Sequence, residues 1–374
     1  MSGPLIRVGV VCDLVEENWP SMDLVAEMLV ENLKRECGTR FEPEALRPEA
    51  RQRPGRMRKA SRFAGRFWRY PRYLAAHKGG FDLFHIVDHS YAHLVHELPA
   101  DRTVVTCHDL DTFRCLFAPE AEPRSALFRR MTQRILDGFR KAAHVTCDSE
   151  STRAEVLAHN LIPPSRLTVI PNGVHPSCSV EADPDADAEI ARILAPASPG
   201  RANILHVGSV IPRKRIDTLL RTFAAVRSQL DGQARLIRVG GALTREQAQL
   251  AAELGIEQDI LTLPRLGARA LAAVYRTATV LLQPSEREGF GLPVAEAMAC
   301  GCPVVASDLP VLRETGGEAA IYCPVGEPAR WADAVARLLA EPVVRRSACL
   351  RQAARFSWTA YARQMTSIYE GLMP

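Results

Sequence analysis

Short apolar runs, each closed by a polar or glycine-containing turn and followed by a stretch of helical period, recur along the whole chain. In the first half they read IRVGVVCD, FDLFHIVD, TVVTCHD and HVTCDS; in the second, NILHVGS, ARLIRVGG, TVLLQP and CPVVASD. Strand and helix in alternation predict α/β architecture with parallel sheets. A chain of 374 residues can bury two full cores. The turn Pro171-Asn172-Gly173 and the acidic, proline-containing stretch after it mark the boundary. We expect a first domain over residues 1–178, a linker over 179–199 and a second domain over 200–357. A cleft between two such domains is the expected place for a ligand.

The second half carries the sharpest chemistry. Val280-Leu281-Leu282 ends at Gln283-Pro284-Ser285, which reads as a buried strand opening into a loop at its carboxyl end, where α/β sheets bind ligands. Gly289 and Gly291 leave the backbone open to close approach, and Pro293 suits the first turn of a helix whose amides would point back at the loop. Glu288 and Glu296 bracket this loop.

The string EREGFGLPVAEAMACGCPVVASDLP resembles the donor-sugar motif of the family 4 retaining glycosyltransferases, which have the GT-B fold of two Rossmann-like parallel-sheet domains facing each other across a cleft. ILHVGSVIPRKRIDTLL resembles the loop by which that family holds the donor diphosphate. FDLFHIVDHSYAHL, VTCDSESTRAEV, VIPNGVH and FSWTAYARQMTSIY resemble further segments, so the likeness covers nearly the whole chain. It implies that residues 358–374 form a helix crossing back to the first domain. It also implies roles. Glu288 would bind donor-sugar hydroxyls, with Gly289, Phe290, Gly291 and Leu292 offering amides and Glu296 holding the ribose. Arg213 and Lys214, beside Gly208 and Ser209, would neutralise the diphosphate through charge-assisted hydrogen bonds. His108 would face the donor sugar, so His108 and Glu288 are the expected catalytic pair.

Two features depart from the family pattern. Ser209 stands where many relatives have an arginine, which leaves the phosphate charge to Arg213 and Lys214. After the first strand the chain reads CDLVEENWPSMDLVAEML, with Ser21 and Met22 in place of glycines, although Pro20, Ser21 and Asp23 can still start a helix. Asp109 and Asp111 spell an Asp-x-Asp that could hold a divalent cation in a different fold. Cationic side chains and helix ends already meet the phosphate charge here, so no metal and no cofactor is expected.

Charge refines the picture. Ten basic residues and no acidic one lie from Arg51 to Lys78, so the +4 of the whole chain becomes −6 for everything else. Arg58, Arg62, Arg66 and Arg69 repeat at helical spacing with Phe63, Phe67 and Tyr70 on an adjacent face. That pattern suits an anionic membrane surface, with a solvated loop as the alternative and no nucleic acid as partner. Ten cysteines, several inside apolar strands (Cys12, Cys107, Cys147), read as reduced buried thiols of a cytoplasmic protein. Cys300-Gly301-Cys302 lacks a second ligand pair for zinc.

The expected activity is retaining transfer of a hexose, mannose from GDP-mannose in the first place, to a glycan or lipid-linked acceptor at the inner face of the cell membrane, without metal. A UDP-sugar-dependent glucosyl- or N-acetylhexosaminyl-transferase is the alternative. A sugar-nucleotide epimerase or a non-catalytic binding subunit on the same fold stands behind both.

Overall fold

The computed structural model describes residues 4–49, 58–194, 201–340 and 342–373. It divides into two compact units, Met1–Gly173 with Trp358–Pro374, and Val174–Ser357.

The first unit is a six-stranded parallel sheet: β1 (Ile6–Val11), β2 (Phe41–Leu46), β3 (Leu83–Ile86), β4 (Thr103–Cys107), β5 (His144–Cys147) and β6 (Leu167–Val169), in the order β2-β1-β3-β4-β5-β6. The order reverses between β1 and β3, which are paired from Val8↔Leu83 to Val11↔Ile86. One face of the sheet buries Phe84, Ile86, Val105 and Val145 against Tyr91, Leu136 and Phe139. The other buries Val8, Val10 and Val104 against the helix Pro20–Cys37 and the helix Trp358–Gly371. That last helix docks because Trp358, Tyr361, Met365 and Tyr369 recur every three or four residues and form one apolar face. The Tyr369 hydroxyl also reaches buried His85 at 2.5 Å.

In the second unit β7 (Ala202–Val207), β8 (Ala234–Val239), β9 (Ile260–Leu263), β10 (Val280–Gln283), β11 (Val304–Ser307) and β12 (Ile321–Cys323) lie in the order β12-β11-β10-β7-β8-β9, again all parallel. Here the reversal falls between β7 and β10.

Two expectations need amendment. Residues 179–199 are not simply a linker: Pro184–Leu194 is a helix, and Ala186, Ile190 and Leu194, spaced four apart, pack into the core of the second unit. Asp183 and Asp187 tie it down through Arg269 (2.6 Å) and Arg276 (2.5 Å).

The basic segment is also not a free amphipathic face. Its first seven residues lie outside the described ones, and Arg58–Ala64, a π-helical turn Gly65–Arg69 and the helix Tyr70–His77 follow. Arg66 and Arg69 turn inward to Glu17 (3.2 Å) and Glu16 (2.9 Å), and the Arg66 guanidinium lies over the Tyr91 ring. Tyr70 is fully buried and Phe67 packs on His93. Acidic side chains of the turn Val15–Glu17 capture two of the four helically spaced arginines. Phe63 and Trp68 remain exposed. All ten cysteines are free thiols, nine of them buried. No helix of the described residues is long and apolar enough to cross a membrane.

Candidate functional site

At the reversal in the second unit, two loops meet over the carboxyl ends of β7 and β10. The chain leaves β7 through Gly208 and Ser209 into a short turn, Pro212–Lys214. It leaves β10 through Gln283 and Ser285 to Glu288 and the glycine loop. The Glu286 amide donates to the Arg213 carbonyl at 2.9 Å, and Arg213 Nη1 donates to the Arg287 carbonyl at 2.9 Å. These bonds zip the loops together.

Glu288 is the centre of the cluster. Its Oε1 accepts from Lys214 Nζ at 2.6 Å, from Ser285 Oγ at 2.7 Å and from Gln283 Nε2, while Oε2 stands 3.5 Å from Arg213 Nη1. Burial alone would raise its pKa. Lys214 and then Arg213 overcome that and hold the carboxyl down at about 2. Arg213 and Lys214 are thus paired with Glu288 rather than held apart for phosphate, yet two cations against one carboxylate leave a positive excess.

A third cation reinforces it. Arg238, at the end of β8, is completely buried and donates to the Gly208 carbonyl at 3.2 Å and the Gly241 carbonyl at 3.1 Å. No carboxylate lies within ion-pair distance of it among the described residues. The close approach is possible because residue 240 is glycine, at φ +125°: a Cβ there would stand 2.4 Å from the Gly208 carbonyl oxygen. Beside it His206, also fully buried, is pushed down to about 3 by burial, then by the charges of Arg238 and Lys214, and so stays neutral.

The glycine loop runs into the helix Leu292–Ala299, with Gly291 at φ +91° as its N-cap. Pro293 sits in the first turn as expected, and the Val294 and Ala295 amides return to the Gly291 carbonyl. Phe290 is buried and packs edge-on against Phe356. Glu296 lies one turn further in. The Tyr275 hydroxyl donates to its Oε2 at 2.9 Å, and burial lifts its pKa to about 7 against that bond.

At the reversal in the first unit the residues are of opposite character. Asp13 follows β1, Asp88 and His89 follow β3, and His108 and Asp109 follow β4. His108 needs its expected role amended. Nδ1 donates to Asp148 at 2.9 Å and Nε2 donates to the Val87 carbonyl at 2.8 Å, so both ring nitrogens are already committed. Burial opposes the charge, but Asp148 and Asp88 raise the imidazolium pKa to about 9. The group is a fixed cation rather than a free hydrogen-bonding edge. Of the Asp-x-Asp, Asp109 Oδ1 accepts from the Asp111 amide at 3.0 Å and Asp111 stands 3.6 Å from Arg114.

Gln283, Ser285, Arg238 and Tyr275, and on the first unit Asp13, Asp88 and His89, are absent from the sequence-based site. A signal for most of them exists: each of Asp13, Asp88, His89, Gln283 and Ser285 stands within three residues of the end of an apolar run. Arg238 stands next to last in β8 and meets the same criterion, whereas Tyr275 has no such signal, because it lies inside the helix Ala268–Thr277 and is recruited by packing.

The description "Glycosyltransferase Family 4" matches residues 29–177, and "Glycosyl transferases group 1" matches residues 201–341. The D-inositol 3-phosphate glycosyltransferase of Thermobispora bispora is 34% identical over 221 residues, 55% of this chain and 51% of the relative. That of Corynebacterium efficiens is 30% identical over 281 residues, 71% and 65%. The chain spans about half the length of the first of these curated relatives. Among solved structures, sucrose-phosphate synthase from Thermosynechococcus elongatus superposes with a TM-score of 0.76 at 21% identity, covering 98% of this chain and 99% of that one. Anabaena HepE in complex with UDP and glucose gives 0.74 at 17% identity, covering 98% and 100%. The chain therefore carries glycosyltransferase domains of the family 4 and group 1 types, on the GT-B fold of its solved neighbours.

Proposed function

We propose that this protein is a retaining, metal-independent hexosyltransferase whose second unit binds a nucleotide sugar. The observation that carries the reading is the cationic cluster at the β7–β10 reversal, where Arg213 and Lys214 meet the carboxylate of Glu288 and Arg238 is bonded to the Gly208 carbonyl at the end of β7. A departing nucleoside diphosphate gains negative charge on its phosphate oxygens. Fixed cations and amides that need no reorganisation stabilise that charge in the transition state. The acceptor hydroxyl would attack from the face the phosphate leaves, and the phosphate oxygen would take the proton.

Glu288, kept ionised, accepts from sugar hydroxyls by exchanging some of its internal donors for them. Glu296 accepts from the ribose. His108 acts as fixed charge at the end of β4, not as a proton carrier. For the donor, GDP-mannose gives way to a UDP-hexose as the first choice. The curated relatives are named for inositol 3-phosphate glycosyl transfer, and HepE was solved with UDP and glucose. A lipid-linked acceptor at the membrane surface stays in the proposal on the strength of exposed Trp68 and Phe63 beside the basic segment.

The test is slow donor hydrolysis by the purified chain over UDP-glucose, UDP-N-acetylglucosamine, GDP-mannose and their free diphosphates, with and without chelator. Release of one nucleoside diphosphate, unaffected by chelator, is expected. Release that needs added magnesium or manganese would remove metal independence, and no release from any donor would remove the activity.

A further inference from the structure

The two glutamates that bracket the glycine loop have opposite surroundings. Glu288 is crowded by cations and stays ionised. Glu296 has no cation within ion-pair distance among the described residues, and its one hydrogen bond there comes from the Tyr275 hydroxyl to Oε2 at 2.9 Å.

The neighbouring elements explain why. On the helix Ala268–Thr277 the charge nearest in sequence to Tyr275, Arg276, is spent on Asp187 at 2.5 Å. The helix Pro310–Gly316 carries Arg313, paired with Asp308 at 2.5 Å, and the helix Pro342–Ala353 carries exposed Arg346 over Gly301, beyond the end of the Glu296 helix. The strands β10 and β11 bring no charged side chain. The other titratable groups packed around the pair are the thiols of Cys178 and Cys300. Burial and the Tyr275 bond are therefore the influences that act on Glu296, the first raising its pKa and the second opposing it.

Tyr275 is itself fully buried and makes no other side-chain hydrogen bond among the described residues. Burial and then the Glu296 charge push its hydroxyl well above the usual 10, so it remains a donor at every working pH. A buried tyrosine hydroxyl needs an acceptor, and Glu296 is the one this tyrosine has. The bond holds the carboxylate by one oxygen and leaves Oε1 as its free edge.

We propose that Tyr275 is a positioning residue for the nucleotide ribose: its hydroxyl holds Glu296 by Oε2 and so turns Oε1 toward the ribose diol. The role rests on the reading that Glu296 accepts from the ribose. A preference for the ribose hydroxyls then depends on a side chain that touches no part of the nucleotide. That preference is also proton-linked, because accepting from the diol calls for the ionised carboxylate. Glu296 is lifted to about 7, so above that pH it is ionised and ready, and below it a proton must leave before the ribose is accepted. The Tyr275 bond favours the ionised form, so without it the preference needs a higher pH.

The experiment measures binding to the full chain by calorimetry at pH values on either side of 7. The probes are UDP and GDP, each beside its 2′,3′-dideoxy form, and the quantity followed is the ratio of the two affinities, in which titration of the phosphates cancels. The wild type should prefer the ribonucleotide, and the preference should shrink as pH falls through about 7. Tyr275→Phe should cut the ratio roughly three- to tenfold at neutral pH, the worth of one hydrogen bond, leave the dideoxynucleotide affinity in place and move the pH dependence upward. Glu296→Gln should remove the pH dependence of the ratio. A merely structural tyrosine would lower the thermal transition and leave the ratio and its pH profile unmoved. An unchanged ratio in Tyr275→Phe while Glu296→Gln loses it would overturn the role of Tyr275 and leave the ribose reading standing. Unchanged ratios in both variants, or no binding of either nucleotide, would overturn both.

Discussion

Lys214→Met offers the strictest test of how the second unit's cluster is built. Glu288 is held at about 2 instead of the ordinary 4.5, and Lys214 is the largest of the causes that lower it. At 1.36 kcal/mol for each tenfold in acidity, the ionised form is stabilised by roughly 3 kcal/mol. The carboxyl's pKa is depressed on folding, so this contribution is fully present above about 4.5 and is lost as pH falls through about 2. At neutral pH all of it is in play. Taking Lys214 away leaves a buried carboxylate with Arg213 at 3.5 Å and two neutral donors, and should cost roughly 2–3 kcal/mol. For a unit of this size the thermal transition should fall by roughly 4–12 °C.

The sequence by itself suggested a different arrangement, a lysine held out for phosphate. Glu288→Gln in the same background removes the stranded charge, so the double variant should be more stable than additivity predicts by roughly 1 kcal/mol or more. Nucleoside diphosphate affinity must move differently. Lys214→Met and the double variant should both lose roughly tenfold. Glu288→Gln alone should bind the diphosphate more tightly, with two cations released, while losing turnover. Thermal unfolding at neutral pH and calorimetry read both quantities. An unmoved transition in Lys214→Met, or strictly additive single effects, would refute the reasoning.

Three further outcomes are expected. Glu296, lifted to about 7 by burial, binds its proton more tightly folded than unfolded, so stability should decline as pH rises from about 4.5 through about 7; Glu296→Gln should flatten that slope, and an identical pH profile for the two proteins would place the carboxyl elsewhere. Arg238→Met leaves the Gly208 and Gly241 carbonyls without their donor and removes a buried cation, so nucleoside diphosphate affinity should drop roughly tenfold along with a loss of roughly 1–3 kcal/mol in stability; Arg238→Lys retaining full affinity would show that charge alone matters. Sedimentation with anionic vesicles at low salt should decrease when Phe63 and Trp68 are both changed to serine, at unchanged thermal transition, and equal sedimentation would remove this segment from membrane binding.

The interior of both sheets was legible from the chain, and their margins were not. The eight apolar runs correspond to β1, β3, β4, β5, β7, β8, β10 and β11. The four strands without such a signal, β2, β6, β9 and β12, are the four edges. An edge strand has one neighbour and a partly solvated face, so its sequence alternates or is too short to stand out: FEPEAL, LTV, ILTL and IYC. A similar limit applied to the site. Arg213, Lys214, Glu288 and Glu296 could be named because they sit in a loop string of recognisable order. That Glu288 claims both cations could not be seen, since it depends on two loops 74 residues apart closing on each other. Nor could the capture of Arg66 and Arg69 by Glu17 and Glu16, roughly fifty residues away in sequence, which halves the basic face that helical spacing alone predicts.

The two sheets obey one topological rule and yet end in opposite charge, and the cause is local. In the first unit the residue that closes an apolar strand is repeatedly an aspartate, and two of these, Asp13 and Asp88, flank the place where the sheet order reverses. In the second unit the strand ends at the reversal are Gly208 and Gln283, and the charges come one turn later from Arg213 and Lys214, or from within a neighbouring strand as Arg238. A diphosphate needs backbone that can come close and cations that can reach around it, which glycine followed by a basic turn provides. Aspartates on strand ends give short hydrogen-bond acceptors fixed in direction instead. The opposite character of the two sheet ends therefore follows from which residue type the chain spends at each strand end, and Asp13→Asn should leave nucleoside diphosphate affinity unmoved in calorimetry, a shifted affinity refuting the independence of the two ends.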